Sequence, residues 1–149
     1  MAVIQLIGTK QFSVSPDRLY PELADLTRLV QTLPDVKAVK EASETSAHIT
    51  VAPGLSFIKG ELDTTITRSA ATPPTQATLS VASKGIGTTV RVEATFTLAA
   101  SATGTEMSWQ AQVLELGGLL KLVPTSLLKG AAQKVIDGWL NSLDSRLSS

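Results

Sequence analysis

The feature that most constrains this chain is a change of hydrophobic period. Between Val36 and Leu116, apolar and polar residues alternate with a period of two. Six runs show it, at 36–43, 46–53, 57–68, 76–84, 88–99 and 105–116. After them a single long stretch, about 119 to 147, returns to helical spacing. In the clearest run Val90, Val92, Ala94, Phe96 and Leu98 oppose Arg91, Glu93, Thr95 and Thr97. Ile58, Gly60, Leu62, Thr64 and Ile66 repeat the pattern, as do Met107, Trp109, Ala111 and Val113. Such alternation predicts antiparallel strands with one buried and one wet face. Pro53-Gly54, Pro73-Pro74, Gly85-Ile86-Gly87 and Gly104 supply the turns.

A further strand is expected at Thr9 to Ser15. Ser15 and Pro16 then form a helix start, with Ser15 as N-cap and Pro16 as first helical residue. Leu19, Leu23, Leu26 and Leu29 follow at helical spacing, with a break into a second short helix near Asp25. In the last stretch Leu128, Ala131, Ala132, Val135, Ile136, Trp139 and Leu143 share one face. Pro124 either precedes this helix or kinks it. A sheet with one apolar face needs a cover, and the long C-terminal helix is the amphipathic element available. The expected fold is α+β: a curved seven-stranded antiparallel sheet around a long C-terminal helix, with two short helices after strand 1. Residues 1–149 are expected to form one domain.

Composition excludes several functions. Thirteen basic residues balance thirteen acidic ones, so the basic excess of a general nucleic-acid binder is missing. With no cysteine and one histidine, neither thiolate chemistry nor a histidine-rich metal site has material. No catalytic or metal-binding set, and no cofactor, is expected. No unbroken apolar segment reaches membrane-spanning length, and the N-terminus lacks a basic signal region. The expected location is the cytoplasm, or the inner face of the membrane as a peripheral protein.

In order along the chain, several short motifs resemble the G-subunit family of carbon monoxide dehydrogenase, within the START-like (SRPBCC, helix-grip) superfamily. Leu33-Pro34 resembles that family's Ile-Pro-Gly, with Asp35 standing at the usual glycine. Val51-Ala52-Pro53-Gly54 followed by Lys59-Gly60-Glu61-Leu62 resembles its Val-Gly-Pro … Gly-x-Phe/Leu hairpin. Lys84-Gly85-Ile86-Gly87 is similar to its glycine turn, and Gly104-Thr105-Glu106-Met107-Ser108-Trp109 to its Gly-Thr-x-Leu-x-Tyr/Trp strand. Gly117-Gly118-Leu119 and Gly130-Ala131-Ala132 are similar to its closing turn and helix. The resemblance spans about residues 9–143. It implies the helix-grip fold and a cavity for a hydrophobic small molecule, a lipid or a quinone. It also implies a role linking a molybdenum carbon monoxide dehydrogenase-type oxidoreductase to the membrane surface.

On this reading Ile49, Val51, Leu62, Leu79, Val92, Phe96, Trp109, Val135 and Trp139 line the cavity. Leu55, Phe57, Ile86, Leu119, Leu120 and Val123 form its mouth, with Lys59, Lys84 and Lys121 around it. Small residues on the helix, Ala131, Ala132 and Gly138, leave room for a ligand or permit close packing of a solid core. Leu119, Leu120 and Val123 either stay exposed as an interaction surface or fold down as a plug. His48 alternates with Ile49 and Val51 and is expected to face solvent. Glu61, Asp63, Glu93 and Glu106 fall on the same outer parity, which leaves the inner face without an acid–base pair. The expected protein is therefore a non-enzymatic binder. Two alternatives stand beside it: an enzyme of polyketide cyclase or dehydrase type using Thr64, Ser83 or His48, and an accessory or assembly protein with a filled core.

Overall fold

The computed structural model describes residues 4–53, 58, 60–85 and 87–148. Strand β1 (Ile4–Phe12) is followed by helices α1 (Pro16–Ala24) and α2 (Leu26–Thr32). Strands β2 (Val36–Ala42), β3 (Ser46–Val51), β4 (Leu62–Thr72), β5 (Gln76–Gly85), β6 (Thr88–Ser101) and β7 (Gly104–Gly118) come next. A 3-10 turn at Leu119–Leu122 leads into helix α3 (Thr125–Ser148). The strands form one curved antiparallel sheet in the order β1-β7-β6-β5-β4-β3-β2. From β2 to β7 each strand pairs with the next in the chain, as a meander. Helices α1 and α2 carry the chain from the β1 edge to the opposite edge at β2, as the expected architecture requires.

Differences from the sequence reading are local. β1 begins at Ile4 rather than Thr9, because Ile4 and Leu6 already face the core while Gln5 and Ile7 face out. It pairs with β7 without a break from Ile4 opposite Val113 to Phe12 opposite Thr105. β4 runs from Leu62 to Thr72 instead of 57–68, since Gly60 turns the chain at φ 72° just before it. Pro124 does not kink α3 but precedes it. Ser15 opens α1 through its carbonyl, which accepts from Arg18 and Leu19, and not through its hydroxyl. Asp25 caps α2 as a side-chain acceptor from the Thr27 backbone N–H at 3.0 Å.

The inward side chains stack in rows across the sheet. Away from the start of α3, Phe12, Leu98, Met107, Phe96 and Trp109 are buried together with Leu19, Leu23 and Leu26 of the short helices. The C-terminal half of α3 closes this part. Trp139 meets Phe96 edge-on, with ring centroids 5.3 Å apart, and its Nε1 donates to Thr32 Oγ1 at 3.0 Å. Leu140, Leu143 and Leu147 are buried beside it. Arg146 Nε reaches the largely buried Glu22 carboxylate at 3.2 Å, which Arg28 also holds at 3.2 Å. The backbone of α3 runs closest to β1 and α2.

Two backbone positions generate testable outcomes. Asp35, at the position where the resemblance placed a glycine, has φ 66°. Asp tolerates this left-handed conformation, a β-branched residue does not. Asp35→Val is expected to cost about 1–2 kcal/mol of unfolding free energy and Asp35→Gly almost nothing, measured by urea titration. Gly8 lies under the Trp109 ring, where an added Cβ would come within 2.4 Å of the ring. An added Cβ at Gly138 would meet nothing within 4 Å. Gly8→Ala should therefore destabilise by about 1–3 kcal/mol through overpacking. Gly138→Ala should stabilise by about 0.5–1 kcal/mol, because alanine restricts the unfolded chain and favours helix.

Candidate functional site

The concave face has two halves. Towards α1 and α2 it is sealed. Towards the start of α3 it is apolar and only half-covered. There Val51, Val81, Val90, Val92, Ala94 and Leu116 point inward from β3, β5, β6 and β7, yet each keeps some solvent contact. The part of α3 above them buries Leu128, while Ala131, Ala132 and Ile136 are half-buried. The deeper positions Ile49, Leu62, Leu79, Phe96, Trp109 and Trp139 are buried.

Val135 does not join them. It is 46% exposed. The helix sits rotated towards β1, so that Leu140 and Leu147 turn inward and Val135 falls outside the stripe. Gly138 is exposed as well and creates no room over the sheet. After Leu128, the first half of α3 turns the small Ala131 and Ala132 towards the sheet before Ile136.

Two of the connections at this end meet among the described residues. Leu119 N donates to Gly87 O at 2.7 Å, which joins the β5–β6 and β7–α3 connections. Leu55, Phe57, Ile86 and Lys59 lie outside the described residues. Leu120 is buried and acts as an inward plug, contrary to its expected place at the mouth, whereas Val123 is half-buried. A 3-10 turn points successive residues in different directions, so one leucine goes in and its neighbours out. Leu119 is 55% and Leu122 81% exposed, and Leu127, which the sequence reading did not single out, is 53% exposed. Lys84, Lys121 and Lys129 are exposed around the same end. The loops at the opposite end, at 43–45, 71–75 and 101–103, are exposed and, apart from Ala71, Pro73, Pro74 and Ala102, polar.

Polar groups on the inner face are few. Thr64 Oγ1 and Ser83 Oγ share a hydrogen bond of 2.8 Å in the half-covered part. Lys10 also has inward parity, a position legible once β1 is extended to Ile4. Its Nζ lies 3.9 Å from Asp144 and 5.8 Å from the Phe12 ring centroid. A groove of about 570 Å³ opens beside it between β1 and α3, lined by Trp109, Leu140, Gln133, Asp137 and Asn141 among others. No group of three or more metal-ligating side chains occurs among the described residues.

His48 faces outward, as its alternation predicts, beside a shallow depression formed with Glu41, Ala42, Ser43 and Ser46. Its Nε2 bonds Asp63 Oδ1 at 2.5 Å, and Lys40 lies 3.4 Å from the same oxygen. The His48 hydrogen bond above all, with Lys40 in addition, holds the Asp63 carboxyl below the usual carboxylate range. A carboxyl with a lower pKa in the folded state stabilises above its unfolded pKa, and this contribution fades as pH falls through the folded value. Asp63→Asn should therefore be less stable than the parent chain at neutral pH, with the gap closing on acidification. Urea titrations across the acid range measure this, and a gap that widens at low pH contradicts it.

The fold has known counterparts. A conserved protein from Geobacillus kaustophilus superposes with a TM-score of 0.87 at 18% identity, covering 97% of this chain and 95% of that one. A START superfamily protein from Mycobacterium smegmatis gives 0.70 at 11% identity, covering 97% of each chain. A STAR-related lipid transfer protein fragment from Xanthomonas axonopodis gives 0.64 at 18% identity, covering 97% of this chain and 86% of that one. A sequence comparison with curated proteins gives no match. The family model for the carbon monoxide dehydrogenase G subunit (CoxG) matches residues 8–148. Together with the START-like sheet and helix described above, this match over nearly the whole chain shows that the protein belongs to the CoxG family.

Proposed function

We propose that this chain is a non-enzymatic accessory protein that takes a hydrophobic small molecule, a lipid or a quinone, under the first half of α3. The observation that carries the reading is the half-covered patch of inward valines: Val51, Val81, Val90 and Val92 point to the interior and are not sealed by the helix. A chain-like ligand covering them would gain about 0.8 kcal/mol for each buried methylene. Family membership supports the same class of ligand and suggests an oxidoreductase as partner. The exposed Leu119, Leu122 and Leu127, ringed by lysines, support loading at an anionic membrane surface. No described helix is long and apolar enough to cross a membrane, so this contact would be peripheral.

Organic extraction of the purified protein, followed by mass spectrometry, tests the reading. A stoichiometric apolar compound is expected from the parent chain. Val92→Glu, with its fold checked by circular dichroism, should come out empty because it buries a lone charge beside the ligand. An empty parent protein that also fails to bind quinone analogues would overturn the proposal and favour a filled core.

A further inference from the structure

Resting on that reading, we infer that the Thr64–Ser83 hydroxyl pair selects the ligand's polar end, favouring an uncharged carbonyl oxygen over a carboxylate. The register places these two residues side by side in one row across the inner face. Ile49 lies opposite Thr64, Thr64 opposite Ser83, Ser83 opposite Val90, and Val90 opposite Leu116. The pair is thus a polar point bounded on both sides by apolar residues. Thr64 is buried and Ser83 half-buried, which leaves the serine side of the pair within reach of a ligand.

Two hydroxyls carry two protons, and their mutual bond of 2.8 Å uses one. Among the described residues the second proton has no protein acceptor. The pair therefore presents one donor, which a carbonyl oxygen satisfies. A carboxylate would need more. Among the described residues, the inward positions of β3 to β7 in this half hold no ionisable side chain: Ile49, Val51, Leu62, Val81, Val90, Val92 and their neighbours are uncharged. The inward cations lie elsewhere. Lys10 is engaged near Asp144, and Arg68 Nη1 donates to the Ala24 carbonyl at 2.9 Å. An anion placed at Thr64 and Ser83 would lose its hydration without a countercharge, which is costly in an apolar interior. The same neutrality that rejects an anion lets a single hydrogen bond discriminate between a ketone and a plain hydrocarbon.

Displacement of Nile red, a neutral fluorescent probe, from the full chain tests the inference with three ligands of matched length: methyl decyl ketone, dodecanoate and dodecane. The parent chain should bind the ketone about tenfold more tightly than dodecane, the effect of one hydrogen bond in a sheltered site, and dodecanoate more weakly than the ketone. In Thr64→Val/Ser83→Ala the ketone should fall to the dodecane level while dodecane binding is unchanged. Thr64→Val alone, which conserves shape, serves if the double variant does not fold, and should lose part of the preference. Dodecanoate binding at least as tightly as the ketone, or an unchanged ketone-to-dodecane ratio in the variants, overturns the inference and leaves the apolar site standing. Failure of all three ligands to displace the probe from the parent chain overturns the site itself, and the inference with it.

Discussion

Trp139 ties the molecule together. Its ring stands edge-on to Phe96 of β6, and its indole N–H donates to Thr32, whose hydroxyl in turn donates to the Leu29 carbonyl at 2.7 Å. One side chain of α3 thereby fixes the sheet and α2 relative to each other. A buried indole N–H without this partner would cost about 1–3 kcal/mol, so the contact is specific as well as apolar. Glu22 adds a second tie at the same end of α3, bridging Arg28 and Arg146 across the two short helices and the long one. With its C-terminal half pinned, α3 approaches the sheet along β1, and its first half lies over a face it does not fill.

This asymmetry organises the rest of the fold. Large residues gather where α1, α2 and the pinned half of α3 converge, and small or β-branched residues line the other half. Charge is sorted across the sheet as well. His48, Asp63 and Lys40 make an ionic cluster on the outer face, and Arg91 pairs with Glu115 at 3.7 Å. Thr78 and Thr95 share a hydroxyl bond on the same outer surface. Every pairing of the meander is antiparallel and in register over long stretches, so outer and inner parities rarely exchange. The inner face is thus kept almost free of charge by register alone.

Most of the architecture was legible in the sequence, and the reason is periodicity. A period of two can satisfy a half-buried sheet and little else, and one long helical stretch after six such runs leaves one cover for it. The position of His48 followed from its neighbours Ile49 and Val51, and the break between α1 and α2 from Asp25. Less was legible where direction depends on more than alternation. Leu119, Leu120 and Leu122 are identical residues in one turn, yet Leu120 is buried and the others are exposed. Nothing in their order distinguishes them, because the direction of each is set by where Gly118, at φ 67°, releases the chain beside Gly87. Ile4 and Leu6 belong to a short alternating run that does not by itself announce a strand. Only the pairing with β7 makes it a strand.

The sequence by itself determined which residues could face inward, because side-chain parity along a strand is local and needs no knowledge of partners. It also determined that the inner face would be apolar, since few charged residues share the inward parity. Only the tertiary structure decided how much of that face is covered. The rotation of α3 towards β1 puts Leu140 and Leu147 inside and Val135 outside, and the anchoring of its far end leaves the valines of β5 and β6 half-exposed. These depend on how rigid elements meet in space, a long-range property that periodicity along one element does not encode.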